Sequence, residues 1–285
     1  MSEAVWRCRD HTFPLGERTL VMGIVNVTPD SFSDGGALPS SQDAIAYGLR
    51  LAADGAHIVD VGGESTRPGA EAVPIEDELA RVVPVIEGLR EAAPSGVVLS
   101  VDTRRPDVAR AALDAGASIV NDVTAAASPG MFDLVRASGA GLVLMHMLGE
   151  PRTMQDDPRY DDVVTDVRDF LAARLGAAVA AGVRRDHLCV DPGIGFGKNL
   201  DHNLSLLHDI ASFAELRVPV LVGASRKRFI GQLTGVDDPA ERVEGTAGAV
   251  AWCAANGVDI VRVHDVLEMT RVVRVVDAIS RGVAS

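Results

Sequence analysis

Short apolar runs alternate with longer Ala- and Leu-rich segments from Val21 to the end of the chain. A short apolar run bounded by turn residues is typical of a strand covered on both faces, whereas the longer segments have the length of helices. The predicted strands are Val21–Asn26, His57–Val61, Val97–Val101, Ser118–Asn121, Gly141–His146, Leu188–Asp191, Val218–Gly223 and Asp259–Val263. The predicted helices are Ser41–Asp54, Ile75–Ala92, Pro106–Ala115, Gly130–Ser138, Tyr160–Ala181, Leu200–Ser212, Glu241–Asn256 and Val266–Ser280.

The order of these elements indicates a fold class. Eight strand-then-helix units predict an α/β fold, a (β/α)8 TIM barrel with its helices outside. An open doubly wound sheet is the alternative, although it usually has fewer units and one Gly-rich nucleotide loop. Glycines after several predicted helices are the expected C-terminal caps, at Gly55, Gly116, Gly182 and Gly257.

The first twenty residues precede this alternation. Trp6–Leu20 is predicted to form a short hairpin or an extended lead-in that covers one end of the core. No linker or low-complexity tract divides the rest of the 285 residues. We therefore predict an N-terminal lead-in over 1–20 and a single (β/α)8 domain over 21–285.

Polar side chains stand where the predicted strands end. They include Asn26, Asp60, Asp102, Asn121, Asp122, His146, Asp191, Ser225, Arg226, Lys227, Arg262, His264 and Asp265. In a (β/α)8 barrel the carboxyl ends of all strands meet on one face, which is where active sites lie. We therefore expect these groups, scattered in sequence, to meet in space.

The charge and the cysteines limit the kinds of partner and compartment. A formal charge of −13 argues against nucleic acid and against anionic membrane surfaces, because the long-range field repels both. Cys8, Cys189 and Cys253 lie far apart without a C-x-x-C pair, which suits a reducing compartment. With no visible signal peptide and no run of about 18 apolar residues, a cytoplasmic protein is expected.

Three strand-end residues form a set with a chemical meaning. A single strand-end Asp or Asn often caps the following helix. Asp102, Asn121 and Asp191 together, however, would form an acceptor-rich wall in one pocket. Such a wall suits a flat heterocycle that presents N–H donors. Phe196 is a candidate to stack on this ring, although core packing would explain it equally well.

Cationic residues follow the last two strands. Lys227 stands in a Ser-Arg-Lys cluster, and Arg262 and His264 stand two positions apart on the same face of a strand. This quadrant commonly holds phosphate in such barrels, so these residues are expected to bind an anion. Gly193–Lys198 does not fit a P-loop, because Pro192 and Asn199 occupy positions that require Gly and Ser or Thr.

Several motifs in order resemble the dihydropteroate synthase family over nearly the whole chain. They are Asn26-Val-Thr-Pro-Asp-Ser-Phe-Ser-Asp-Gly-Gly36, Gly62-Gly-Glu-Ser-Thr-Arg-Pro-Gly69, Val101-Asp-Thr103, Asn121-Asp122, Asp191-Pro-Gly-Ile-Gly-Phe-Gly-Lys198, Ser225-Arg-Lys227 and Arg262-Val-His-Asp265. The resemblance implies an enzyme that joins 6-hydroxymethyl-7,8-dihydropterin diphosphate to p-aminobenzoate, giving 7,8-dihydropteroate and pyrophosphate. It also implies a Mg²⁺ cofactor and a homodimer.

The resemblance assigns roles to individual residues. Asp102, Asn121, Asp191 and Lys227 are expected to bind the pterin. Asn26 is expected to touch the diphosphate and its Mg²⁺, and Arg262 and His264 to bind the diphosphate. Arg262, His264 and Lys227 are the residues expected to act in the chemistry. Thr66 and Arg67 are expected in a mobile loop near the p-aminobenzoate.

Two residues depart from the pattern of the family, and two other functions remain open. Leu148 replaces an expected Gln, and Arg228 stands where many members have Ser. A pterin-binding module without turnover would lack either the anion groups or the loop. A barrel that transfers methyl groups from folates to a corrinoid would share the pterin pocket but would not need the cationic residues.

Overall fold

The computed structural model describes residues 4–28, 40–65, 73–150 and 152–282. Thr66 and Arg67, and with them the second half of the loop 62–69 that is expected to move, lie outside these residues. The described chain forms a two-stranded antiparallel hairpin followed by an eight-stranded parallel sheet with helices between its strands.

The eight parallel strands follow one another around the sheet in chain order. The hairpin consists of β1 (Val5–Cys8) and β2 (His11–Pro14). The parallel strands are β3 (Leu20–Asn26), β4 (Ile58–Gly62), β5 (Val98–Asp102), β6 (Ile119–Asp122), β7 (Gly141–Met145), β8 (Leu188–Asp191), β9 (Leu221–Val222) and β10 (Ile260–Val263). The sheet order is β8-β7-β6-β5-β4-β3-β10-β9, and a parallel bridge between Val190 and Val220 joins its two ends. The predicted (β/α)8 barrel is therefore confirmed.

Helices connect the strands over the outside of the barrel. They are α1 (Ser41–Ala53), α2 (Ile75–Ala92), α3 (Pro106–Ala115), α4 (Met131–Ser138), α5 (Val163–Ala180), α6 (Leu200–His208), α7 (Arg228–Thr234), α8 (Val243–Ala255) and α9 (Val266–Arg281). Gly55, Gly116, Gly182 and Gly257, the predicted caps, all have positive φ. No helix in the described part of the chain is long and apolar enough to cross a membrane.

The predicted seventh strand, Val218–Gly223, is too long. Only Leu221 and Val222 form β9, because the seam of the barrel interrupts the ladder. The Asp259 carboxylate accepts the hydrogen bond of the Val220 N–H at 2.9 Å, so a side chain takes the place of a strand partner. Pro219 has no N–H to donate, and its carbonyl accepts from Val190 across the seam at 3.0 Å.

Helix prediction failed mainly around α7, which the sequence did not indicate. This segment is short and contains Gly231, so its intrinsic helix propensity is weak, and burial of Phe229 and Ile230 holds it in place. The predicted helix Tyr160–Ala181 begins only at Val163, because Asp162 caps it through Thr165 N–H. The predicted helix Leu200–Ser212 ends at His208, and a separate 3₁₀ helix, Ile210–Leu216, follows it.

The N-terminal hairpin closes the amino end of the barrel. Trp6, Cys8 and Phe13 are buried against the first inward-facing residues of the strands. These partners are Leu20, Met22, Ile58, Val98, Ile119, Val143, Cys189, Leu221 and Ile260. The hairpin turns at Arg9 and Asp10, and it covers one end of the core, as predicted.

The inward-facing residues change from apolar to polar along the strands. Side chains of a strand alternate between its two faces, so the next inward position is two residues further on. Those positions hold Ile24, Asp60, Ser100, Asn121, Met145, Asp191, Gly223 and Arg262. The intervening outward residues, such as Val59 and Val261, belong to the apolar core under the helices. The alternation therefore places a dry plug at one end and polar groups at the other.

Glycines allow the loop after β8 to pack closely against the loop after β7. Gly193, Gly195 and Gly197 all have positive φ, a region that L-residues rarely adopt. A methyl group on Gly193 would overlap the carbonyl oxygen of His146. These glycines therefore serve backbone packing, which agrees with the absence of a P-loop pattern in the sequence.

Replacing Gly193 by Ala is expected to destabilise the protein beyond the cost of its backbone conformation. Gly235→Ala is the matched control, because Gly235 has a similar φ with no atom near an added methyl group. We expect the control to lower the free energy of unfolding by roughly 1–2 kcal/mol. Gly193→Ala is expected to cost roughly 1–3 kcal/mol more, from the overlap with His146. Urea denaturation measures both, and equal losses would contradict this explanation of the loop.

Candidate active site

A small cavity of about 70 Å³ opens at the carboxyl ends of the barrel strands. Its lining consists of Ile24, Asp102, Asn121, Val123, Met145, Asp191, Phe196, Gly223, Ser225, Lys227, Arg262 and His264. The structure therefore brings together, from the ends of five different strands and the loops that follow them, most of the residues that the sequence singled out. Asn26 is described but does not line this cavity, and Thr66 and Arg67 lie outside the described residues.

Asp102, Asn121 and Asp191 form one wall of the cavity and come from β5, β6 and β8. All three side chains are at least nine-tenths buried. Asp191 Oδ1 accepts a hydrogen bond from Gly193 N–H at 2.7 Å, which fixes the carboxylate at the start of the glycine loop. Burial raises the pKa of Asp191, and the nearby Lys227 opposes that effect.

Arg262 on β10 bridges two carboxylates at the bottom of the cavity. Its Nε donates to Asp60 Oδ2 at 2.7 Å, and its Nη2 donates to Asp102 Oδ2 at 2.7 Å. Asp60 is fully buried, and the same Oδ2 also accepts from Asn121 Nδ2 at 3.0 Å. Arg262 is therefore the counter-ion of the wall, a contact that its expected role at the diphosphate did not include.

The Asp102 carboxyl holds its proton unusually well. Burial raises the pKa of Asp102 to about 7, and Arg262 opposes this effect. The like charges of Asp60, Glu78 and Asp122 raise it further. The single positive charge of Arg262 thus neutralises only part of the negative charge of this buried cluster of carboxylates. Asp102 therefore titrates close to neutral pH.

Lys227 follows β9 and contacts the glycine-containing loop after β8. Its Nζ donates to the carbonyl oxygen of Ile194 and sits 4.3 Å from the centre of the Phe196 ring. Burial lowers the pKa of Lys227 to about 8, while Asp191 works in the other direction. Phe196, expected to stack on a ligand, is therefore in contact with Lys227 in this structure.

His264 and Ser225 form the part of the lining next to Arg262. Ser225 Oγ is 3.0 Å from His264 Nδ1 and accepts from His264 N–H at 3.2 Å, so the two residues fix each other. Arg226 does not line the cavity, because its guanidinium forms a two-point ion pair with Asp265. In the Ser-Arg-Lys cluster, Ser225 and Lys227 therefore reach the cavity. Arg226 instead connects the loop after β9 to the loop after β10 through Asp265.

The fit of Mg²⁺ depends on Asn26 at the end of β3. No group of three His, Cys, Asp or Glu side chains suited to a metal ion occurs among the described residues. Asn26 provides an amide oxygen beside Gly62, which is a hard ligand of the kind that Mg²⁺ accepts. Because Mg²⁺ usually keeps several waters and shares its ligands with substrate phosphates, this single oxygen fits an ion that arrives with a diphosphate.

Glu64 joins the two ends of the loop that contains Thr66 and Arg67. Its carboxylate accepts from Val73 N–H at 3.2 Å, beyond the loop, and pairs with Arg104 and Arg105 at 3.1 Å each. Both arginines follow β5, and Arg105 also lies 3.0 Å from the buried Glu78. The base of this loop is therefore tied to the strand that carries Asp102.

Sequence reasoning missed the residues that lie behind the cavity. Asp60 received no role in the expected site, yet it forms an ion pair with Arg262, which lines the cavity. Lys198 is buried and contacts His146 Nδ1 at 2.9 Å and the Phe196 carbonyl at 2.9 Å. The inward register of Asp60, two residues after Ile58, was the signal that could have revealed it.

Comparison with known proteins supports the resemblance seen in the sequence over most of the chain. Residues 22–264 match the model of the pterin binding enzyme family. Dihydropteroate synthase from Escherichia coli strain K12 is 46% identical over 258 residues, which cover 90% of each chain. The solved dihydropteroate synthase of Xanthomonas albilineans with 4-aminobenzoic acid is 48% identical, with a TM-score of 0.91 over 98% of each chain.

Two other solved structures are similar in the same way. The Xanthomonas albilineans dihydropteroate synthase in complex with 7,8-dihydropteroate has a TM-score of 0.86 at 46% identity, over 96% of this chain and 98% of that one. The Yersinia pestis enzyme with a sulfonamide drug has a TM-score of 0.92 at 42% identity, over 98% and 100%. The chain belongs to the pterin binding enzyme family and, within it, to the dihydropteroate synthases.

Proposed function

We propose that the cavity is the site where the chain condenses 6-hydroxymethyl-7,8-dihydropterin diphosphate with p-aminobenzoate. The products are 7,8-dihydropteroate and pyrophosphate. One observation supports this use of the cavity above others: an acceptor wall and the cationic residues Lys227 and Arg262 line the same small space. The family supplies the identity of the substrates, and the geometry supplies the way in which they are held.

The wall binds the pterin ring. Asp102, Asn121 and Asp191 offer oxygen acceptors to the amino group and N–H groups of the ring, and charged acceptors form the stronger hydrogen bonds. Lys227 donates to the oxo-bearing part of the ring, where its positive charge is balanced by Asp191. Phe196, next to Lys227, covers one face of the pterin ring.

The diphosphate lies at the side of His264 and Arg262, towards Asn26. Asn26 would hold Mg²⁺ together with the diphosphate, and the bound ion would supply positive charge that stabilises the leaving group. His264 donates a hydrogen bond to this leaving group, and Ser225 fixes the orientation of its ring. Arg262 contributes positive charge both to the leaving group and to the pterin wall, because it also pairs with Asp102.

Departure of the diphosphate leaves a cation on the pterin methylene that is delocalised into the ring. The amine of p-aminobenzoate then forms the new C–N bond and loses a proton to solvent. This route needs no protein nucleophile. Thr66 and Arg67 remain the predicted p-aminobenzoate residues. Leu148 follows β7, Arg228 follows β9, and both are exposed.

Incubation with both substrates and Mg²⁺ tests this function. We expect pyrophosphate release that requires the pterin diphosphate, p-aminobenzoate and Mg²⁺ together. Release from the pterin diphosphate alone would indicate a hydrolase, and no release under any of these conditions would contradict the proposal.

We also propose a homodimer located in the cytoplasm. A groove of about 720 Å³ between α6, α7 and α8 exposes 57% of Leu233 and 46% of Trp252. An apolar groove of this kind suits a second copy of the chain. The three cysteines are free and buried, which is compatible with a reducing compartment.

Light scattering should show a dimer that Leu233→Glu dissociates. If Leu233→Glu leaves the dimer unchanged and Ile279→Glu on α9 dissociates it instead, the interface lies elsewhere.

Removing the carboxylate of Asp191 is expected to weaken pterin binding. A charged hydrogen bond is worth roughly 1.5–3 kcal/mol, so Asp191→Ala should lower the affinity for bare pterin by at least about tenfold. Asp157→Ala is the control, because Asp157 forms an ion pair at the surface with Arg159. Calorimetry measures the affinity, and circular dichroism checks the fold. Unchanged affinity in Asp191→Ala would remove this residue from the wall.

Pterin affinity is expected to rise as the pH rises through about 7. The pKa of Asp102 is about 7 in the free protein, and the protonated carboxyl cannot accept hydrogen bonds with both oxygens. Ionisation therefore favours binding, and affinity should increase about tenfold between about pH 6 and about pH 8. Calorimetry on Asp102→Asn should lack this increase. An identical pH profile in both proteins would assign the titration to the ligand or another group.

A further inference from the structure

The side-chain amide of Asn121 is held in one orientation by a residue behind the cavity. Its Nδ2 donates to Asp60 Oδ2 at 3.0 Å, and Asn121 itself lines the cavity. Asp60 is fully buried, and it is not one of the described residues that line the cavity. Asp60 therefore reaches the ligand only through the side chains that it holds.

A rotated amide would be unfavourable at this place. Rotation by 180° would bring Asn121 Oδ1 to the position of Nδ2, against a carboxylate oxygen that can only accept. Two acceptors at hydrogen-bond distance repel each other, and a buried acceptor without a donor is costly. The contact with Asp60 thus directs the amide oxygen away from Asp60 and towards the ligand.

Arg262 fixes Asp60 in turn. The atom that accepts from Asn121 also accepts from Arg262 Nε at 2.7 Å, so both donors share Oδ2. The other carboxylate oxygen, Oδ1, is buried without a partner among the described residues. Because the guanidinium always carries its protons, an acceptor must remain at the Oδ2 position. The chain of contacts Arg262, Asp60 and Asn121 has only one consistent arrangement of donors and acceptors.

We propose that Asp60 is a positioning residue that makes the enzyme selective for an amino group over an oxo group on the heterocycle. It does so by presenting Asn121 as an acceptor. An amino group donates to this oxygen, whereas an oxo group at the same position of the ring meets a second acceptor. This inference rests on the proposed pterin pocket, and it explains why that pocket would prefer an amino group.

Two ring compounds that differ only in this group provide the test. Pterin carries a 2-amino group, and lumazine, 2,4-dioxopteridine, carries an oxo group in its place. Calorimetric binding of both is compared in the wild type, Asp60→Leu and Asp60→Asn. Asp60→Leu has a similar shape but removes the acceptor and frees the Asn121 amide. Asp60→Asn removes the charge but keeps an acceptor oxygen, which Arg262 draws to the Oδ2 position.

The ratio of pterin to lumazine affinity is the decisive quantity. We expect the wild type to prefer pterin, Asp60→Asn to retain that preference, and Asp60→Leu to lose it by about tenfold or more. A purely structural role would weaken both ligands equally in Asp60→Leu and leave the ratio unchanged, which would overturn the proposal. Loss of the preference in Asp60→Asn would also overturn it, since charge and not the acceptor would then matter.

The outcomes separate this inference from the proposed function. If the wild type binds neither compound, the pterin pocket itself is wrong. If it binds both equally, the fixed acceptor is wrong while the pocket stands. Should Asp60→Leu fail to fold, as circular dichroism would show, the wild type and Asp60→Asn still decide, because both must prefer pterin by a similar factor.

Discussion

Arg262 lies between two buried carboxylates, and the arrangement of the cavity depends on that contact. Removing one partner of a buried ion pair typically costs about 3–5 kcal/mol, because the other charge remains without compensation. Here the guanidinium pairs with both Asp60 and Asp102, and Asp60 in turn accepts a hydrogen bond from Asn121. Four strands of the barrel, β4, β5, β6 and β10, are thereby connected through polar side chains at the level of the cavity. In the proposed mechanism, recognition of the ring and stabilisation of the leaving group consequently share Arg262.

The barrel separates this polar cluster from a dry end by simple alternation. Ile58 and Asp60 face inward on β4, and Ile260 and Arg262 do so on β10, with outward-facing valines between them. The apolar residue of each pair packs against the N-terminal hairpin, while the polar residue reaches the cavity. Because alternate strands of a barrel contribute to the same layer, residues far apart in sequence meet there.

Much of the fold and of the site could be predicted from this pattern. The order of strands and helices, the capping glycines and the convergence of Asp102, Asn121 and Asp191 follow from local sequence and barrel geometry. The direction of Arg226 could not be predicted, because its pairing with Asp265 depends on the backbone of two neighbouring loops. The helix α7 was missed because tertiary burial of Phe229, not propensity, stabilises it.

A crystal structure with dihydropterin diphosphate and Mg²⁺ bound would show directly whether Arg262 connects the two parts of the site. We expect the ring to fill the cavity with its amino-bearing edge on the wall of Asp102, Asn121 and Asp191. Arg262 should keep its contact with Asp60 while the diphosphate lies towards His264 and Asn26. A ring bound elsewhere, or an Arg262 side chain that leaves Asp60 to follow the diphosphate, would contradict it.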